Sequence, residues 1–454
     1  MKRSLSIITL LFLSVTVKAQ QDSIMMRKIA DEVLLNSNCY DNLRVLCKQI
    51  GHRLSGTPEA AKAVEWGQKC MEAAGADKVW LQAVEVPNWV RGKESLQIGW
   101  GKGNKTNIPM LSIGNTDGTD GKMLTAQIIM VGDLDEFNAL PAEKVKGKVI
   151  FFNHRFVQTT INPFHEYGES GKYRWTAPNV ASARGAAAVI IRSISTGEDD
   201  APHTGSMRYA DTVKHIPAVA IGNKSADLLA EKCKAGAATA MLRSECKMMG
   251  TVRSYNVIGE IRGSSEPEKF VVVGGHLDSW DVGEGAHDDG AGCVQSIEVI
   301  RALKALNIKP KYTIRAILFM NEENGLKGGT AYADSAKSKN EKHLLAIETD
   351  AGGFSPRGFG LDMKEAQKEQ IRQYRKLFMP YGVYDFEQEE GGADISPLKR
   401  AGVPTAGLLP DPQRYFDLHH TANDVFEAVS HRELKMGALT LANLVYLVSE
   451  HGLR

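Results

Sequence analysis

The chain has 454 residues, 43% of them hydrophobic and 24% charged, so it can bury large cores and is expected to form two or three units. A net charge of +1, with no Lys/Arg-rich run interleaved with aromatics, excludes the field that would draw nucleic acid or an acidic membrane surface. Six cysteines at irregular spacing in so long a chain do not make a disulfide framework.

Lys2 and Arg3, the apolar run from Leu5 to Val17 and the small-residue site Val17-Lys18-Ala19 before Gln20 read as an export signal occupying residues 1–19. The run is too short to span a hydrocarbon core of about 30 Å, and no later stretch is apolar enough to do so. The mature chain is therefore expected to be periplasmic or extracellular, without a membrane span. Residues 20–84 read as helical. Thr57-Pro58-Glu59 starts one helix, Ala60, Val64, Gly67, Met71 and Ala74 recur at steps of three and four, and Gly75 stops it.

From 85 to 250 the character changes to short β-like runs and Gly turns. Lys146–Phe152, Ala181–Ile191 and Ile216–Ile221 read as strand, helix into strand, and strand, a pattern that resembles an inserted, β-rich protease-associated domain. Asn162–Trp175 carries Phe164, His165, Tyr167, Tyr173 and Trp175 at irregular spacing, which reads as a loop over a substrate; Pro202-His203-Thr204-Gly205 is a second such loop. Residues 251–454 alternate strands (269–275, 312–320, 343–349, a run near 404–409) with helices (290–306, 326–338, 364–380, 431–449). Ser430 and Glu433 form a capping box at the start of the last helix. The class is α/β, with a mostly parallel sheet covered by helices on both faces.

Within this last unit stand His276, Asp288, Glu323, Asp350 and His420, most of them placed just after apolar strand-like runs, with a spare carboxylate at Glu322. Strand ends of an open α/β sheet are where ligands bind. Two His and three carboxylates form a shell that suits zinc, with cobalt or manganese able to substitute. Sharing Asp288 between two ions would leave each with one His and one further carboxylate. Glu322 would then be free to take a proton from water, which makes hydrolysis the natural reaction. Asp278, on the same side of an extended chain as His276, can accept the second ring N–H of that imidazole. Gly391 and Gly392 would let a substrate approach the backbone, Asp394 could fix a polar end group, and Tyr415 could hydrogen-bond an oxyanion. Cys293 reads as a packing residue with no base to activate it.

The stretches His276-Leu277-Asp278-Ser279, His287-Asp288-Asp289-Gly290-Ala291-Gly292, Asn321-Glu322-Glu323, Asp350-Ala351-Gly352 and His419-His420-Thr421 resemble the dizinc metallopeptidases of the M28 family, most nearly their carboxypeptidase Q branch. The resemblance implies a zinc-exopeptidase fold and two zinc ions held by His276, Asp288, Glu323, Asp350 and His420. It further implies that Asp288 bridges the ions, Glu322 is the general acid/base, Asp278 supports His276, and the Asp288–Asp289 peptide is cis. Short peptides or dipeptides are the implied substrates and a homodimer the implied assembly. Two alternatives from other classes are a glutaminyl-cyclase-like acyltransferase and a non-catalytic binding protein on the same fold.

Overall fold

The computed structural model describes residues 20–454, so the export signal expected over 1–19 lies outside the described residues. Its strands are β1 (Lys78–Val90), β2 (Glu94–Trp100), β3 (Asn104–Ile108), β4 (Met110–Ser112), β5 (Leu124–Val131), β6 (Val149–Phe152), β7 (Ala188–Arg192), β8 (Ala218–Ile221), β9 (Ala238–Ser244), β10 (Lys247–Ile261), β11 (Glu266–His276), β12 (Tyr312–Phe319), β13 (Lys342–Glu348), β14 (Pro356–Asp362) and β15 (Thr405–Pro410). They form two sheets, ordered β1-β10-β12-β11-β13-β15-β14 and β3-β2-β9-β5-β6-β7-β8-β4.

The centre of the first sheet, β12-β11-β13-β15, is parallel, and its flanking pairs are antiparallel. Successive residues of β11 serve opposite faces, as a doubly covered strand requires. Val271 and Val273 pack under the helices Pro58–Ala73, Ala291–Ala305 and His431–His451, while Val272 packs with Tyr332, Ala333 and Ala336 of the helix Lys327–Ser338. The second sheet is also layered. Helix Asn223–Ala235 covers one face through Ala226 and Leu229, and helix Ala177–Ala183 covers the other through Ala177 and Ala181.

Several expectations are corrected. The boundaries expected at 84/85 and 250/251 fall inside β1 and β10, which pair from Lys78–Glu260 to Val90–Lys247 with one break in register. The break in register lies between Pro87 and Trp89. The expected helix over 364–380 is broken into Glu365–Arg372 and Arg375–Phe378, and a turn with Pro380 and left-handed Gly382 closes it. Asn162–Trp175 is not a loop: Asn162 accepts from the Phe164 N–H, Pro163 occupies the first turn, and a helix runs over Pro163–Ser170. Ser430 caps the last helix through the Glu433 N–H, but Glu433 turns to Ser355 and Arg414 instead of closing a box. All six cysteines are free, and Cys293 is buried with its thiol donating to the His276 carbonyl at 3.0 Å. Among the described residues no helix is long and apolar enough to cross a membrane.

Candidate metal centre

Parallel strands end on one side, so β11, β12, β13 and β15 deliver their following residues to one edge. His276 ends β11, Glu322 and Glu323 open a short helix after β12, Asp350 follows β13, and His420 follows the helical turn Tyr415–Leu418 after β15. Asp288 sits in a distorted turn, Ala286–Gly290, at the head of helix Ala291–Ala305, and its peptide to Asp289 is cis.

The two oxygens of Asp288 face different partners. Oδ1 lies 3.0 Å from His276 Nε2, which is 3.5 Å from Asp350 Oδ1; Oδ2 lies 3.2 Å from His420 Nε2, which is 3.1 Å from Glu323 Oε2. A tetrahedral ion with bonds of about 2.0–2.1 Å has ligand-to-ligand edges of about 3.3–3.4 Å. Two such polyhedra sharing Asp288 match these separations. Asp288 Oδ2 and Asp350 Oδ1 are buried yet accept no hydrogen bond, although an imidazole nitrogen is near each. Carboxylate oxygens that converge on imidazole nitrogens yet stay unpaired leave room for a cation, and the residues present fit a bound metal. The electrostatics agree. Burial opposes the imidazolium forms of His276 and His420, but the carboxylates around them outweigh it and hold both well above the usual histidine range. In turn, the hydrogen bond from His276 and the nearby charges of His420 and His419 overcome the burial of Asp288 and hold it well below the carboxylate range. The anionic cluster draws protons where it could hold cations.

Glu322 is half-buried on the wall of a cleft of about 970 Å³ that also includes Asp288, Glu323, Asp350, Tyr415, His419 and His420. Its far wall comes from the second sheet's unit: Phe164 stacks on Tyr415 at 5.3 Å and Tyr167 on Phe416 at 4.7 Å. Gly391 and Gly392 line a side cavity of about 240 Å³ beside Asp350. Asp394 is 1% exposed, and burial followed by the charges of Glu348 and Glu322 pushes its carboxyl up.

Asp278 also departs from its expected contact. The Asp278 backbone carbonyl, not the side chain, lies 2.9 Å from His276 Nδ1. The carboxylate instead accepts from the backbone N–H groups of Asn321 (2.7 Å) and Glu322 (3.1 Å), holding Asn321 at φ 73°. Asp278→Ala would leave the buried Asn321 N–H and the part-buried Glu322 N–H unpaired and release the Glu322 segment. It is expected to lower kcat about 10–100-fold and the melting temperature as well, as read by steady-state kinetics and thermal unfolding.

Sequence reading left out four groups. His419 stacks on His420 at 3.5 Å with Nε2 3.6 Å from Asp288 Oδ2. Asp424 accepts from the N–H groups of His287 (2.8 Å) and Asp288 (3.1 Å). Asp289 accepts from His276 N and Gly292 N, both at 2.9 Å. Arg53, fully buried, donates to the carbonyls of Leu277, Glu284 and Gly285. His419 and Asp289 carry a signal in their adjacency to His420 and Asp288, and Arg53 in the segment 53–57, which resembles the entry segment of the M28 family; none of them has a role assigned from sequence.

The open α/β sheet thus carries at its strand ends a cluster of His and carboxylate groups able to hold metal. Residues 256–445 match the profile of peptidase family M28. Human carboxypeptidase Q is 32% identical over 412 residues, covering 90% of this chain and 85% of that one. A peptidase M28 precursor from Shewanella amazonensis SB2B superposes with a TM-score of 0.91 at 31% identity, covering 96% and 99% of the two chains. The aminopeptidase from Aneurinibacillus sp. strain AM-1 shares the fold, with a TM-score of 0.66 at 21% identity and coverage of 93% and 96%. The chain belongs to peptidase family M28.

Proposed function

We propose that this peptidase is a dizinc exopeptidase that hydrolyses short peptides or dipeptides. The observation that carries the reading is Asp288, whose two oxygens each face a separate imidazole and carboxylate pair beside a free Glu322. His276 and Asp350 would hold one ion, His420 and Glu323 the other, with Asp288 shared. Bound there, zinc would polarise the scissile carbonyl and lower the pKa of an attacking water.

Glu322 takes the proton of that water and returns it to the leaving amine. Asp278 fixes the Glu322 backbone so that the carboxylate points into the cleft. Tyr415 keeps its phenolic proton, because burial first and the charges of Asp288 and Asp350 next push its pKa up, and it donates to the developing oxyanion. Gly391 and Gly392 admit the substrate beside Asp350. The name of the human relative, carboxypeptidase Q, adds a carboxy-terminal preference as one outcome to be tested.

The test is a panel of dipeptides and short peptides with free, acetylated and amidated ends, read by mass spectrometry. Zinc-loaded protein is expected to release single residues, to fall silent after chelation and to recover with zinc. Loss of cleavage on blocking one end identifies the terminus recognised. Undiminished cleavage by metal-free protein would sink the reading, cyclisation of N-terminal glutamine without hydrolysis would favour an acyltransferase, and zinc binding without turnover a binding protein.

A further inference from the structure

Thr204 lies between β7 and β8, in the unit of the second sheet, and is fully buried. Its backbone meets His420 twice: the Thr204 N–H donates to the His420 carbonyl at 3.1 Å, and the Thr204 carbonyl accepts from His420 Nδ1 at 3.3 Å. His420 has φ 62°, a left-handed conformation that side-chain-bearing residues rarely adopt, so it needs support from outside its own turn.

Thr204 is itself anchored. Its hydroxyl donates to the Ser112 carbonyl at 2.9 Å and accepts from Arg91 Nη2 at 3.4 Å. Its carbonyl accepts a second bond from Arg174 Nη1 at 3.2 Å. Arg174, 4% exposed, directs its other bond to the Tyr167 hydroxyl at 2.6 Å. Gly205, at φ 129°, lets the guanidinium lie against the chain; a Cβ there would sit 2.4 Å from Arg174 Nη1. An imidazole that donates from Nδ1 keeps the lone pair on Nε2. In His420 that atom faces Asp288 and Glu323.

We propose that Thr204 is the positioning residue for His420 and that Arg174 holds Thr204 in place, so that the second sheet's unit completes the metal centre instead of merely covering it. The proposal rests on the reading of His420 as a zinc ligand, and the experiment separates the two. On the full chain, zinc stoichiometry is measured by emission spectrometry and zinc affinity by competition with a chromophoric chelator. His420→Ala, the control, is expected to lose one of two ions. Arg174→Met is expected to bind that same ion about 10–100-fold more weakly, leave the other ion unchanged, and lower kcat with little change in KM. Arg174→Lys, which can still donate to the Thr204 carbonyl, is expected to restore most of the affinity. Thr204→Val keeps the carbonyl but removes the hydroxyl that bonds to Ser112 and Arg91. It is expected to weaken the same ion by a smaller factor, and it decides the question if Arg174→Met does not fold. Wild-type affinity for both ions in folded Arg174→Met, or in Thr204→Val where the former is unfolded, overturns the clamp. Retention of both ions by His420→Ala overturns it together with its premise.

Discussion

Glu322→Gln is expected to keep both zinc ions and to lose turnover, with kcat lower by about 10²–10⁴-fold, the span that general acid–base catalysis contributes. Gln has nearly the same volume and keeps the backbone N–H that Asp278 accepts, so the segment stays in place. What it lacks is a group that can take and return a proton. Without cations, burial first and then the charges of Asp350, Glu323 and Asp288 hold the Glu322 carboxyl well above its usual range, against the pull of His276. Two divalent ions beside those carboxylates reverse the sign of the local field and favour the ionised base. Emission spectrometry for metal content and steady-state rates on a dipeptide check the pair of outcomes. Near-native kcat would remove Glu322 from the reaction, and loss of an ion would make it a ligand.

The gathering of His276, Glu323 and Asp350 was legible because each stands at the end of an apolar run, and parallel strands that alternate with helices end together. Asp288 was legible through the helix it opens. The supporting groups were not. Arg53, Asp289 and Asp424 act through backbone groups of other segments, and residue type alone does not say whose N–H or carbonyl a side chain will meet. Asp278 shows the same limit: its position on the strand suggested a contact with His276, yet the peptide carbonyl made that contact and the carboxylate turned to Asn321 and Glu322. Edges were harder than centres. Strand β14, Pro356–Asp362, contains two glycines and a leading proline and has no element expected from sequence, but it pairs antiparallel with β15 at the edge of the sheet. The helix Pro163–Ser170 was hidden because its aromatics Phe164 and Tyr167, three apart, pack across to Tyr415 and Phe416 of the other unit.

Asp288→Asn is expected to cost more than the loss of any other single ligand, because in the proposed site both ions would share that carboxylate. The amide is isosteric but neutral, and only one of its two heavy atoms can ligate, so metal content is expected to fall from two ions to at most one. Each 1.36 kcal/mol of lost transition-state stabilisation is tenfold in rate. Loss of several kcal/mol of charge stabilisation from a two-metal site therefore corresponds to at least about 10³-fold in kcat/KM. A second consequence follows from the protons. In the metal-free chain Asp288 helps to hold His276 and His420 above the usual histidine range, so zinc must displace protons from them, and affinity is expected to weaken as pH falls. With asparagine at 288 both imidazoles lose their shared anion and bind protons less tightly. Titration calorimetry in two buffers of different ionisation enthalpy is therefore expected to show fewer protons released per zinc bound by the variant than by the wild type. Unchanged proton release with two ions bound would mean that Asp288 bridges nothing, and that the oxygens facing the two imidazoles are held for packing alone.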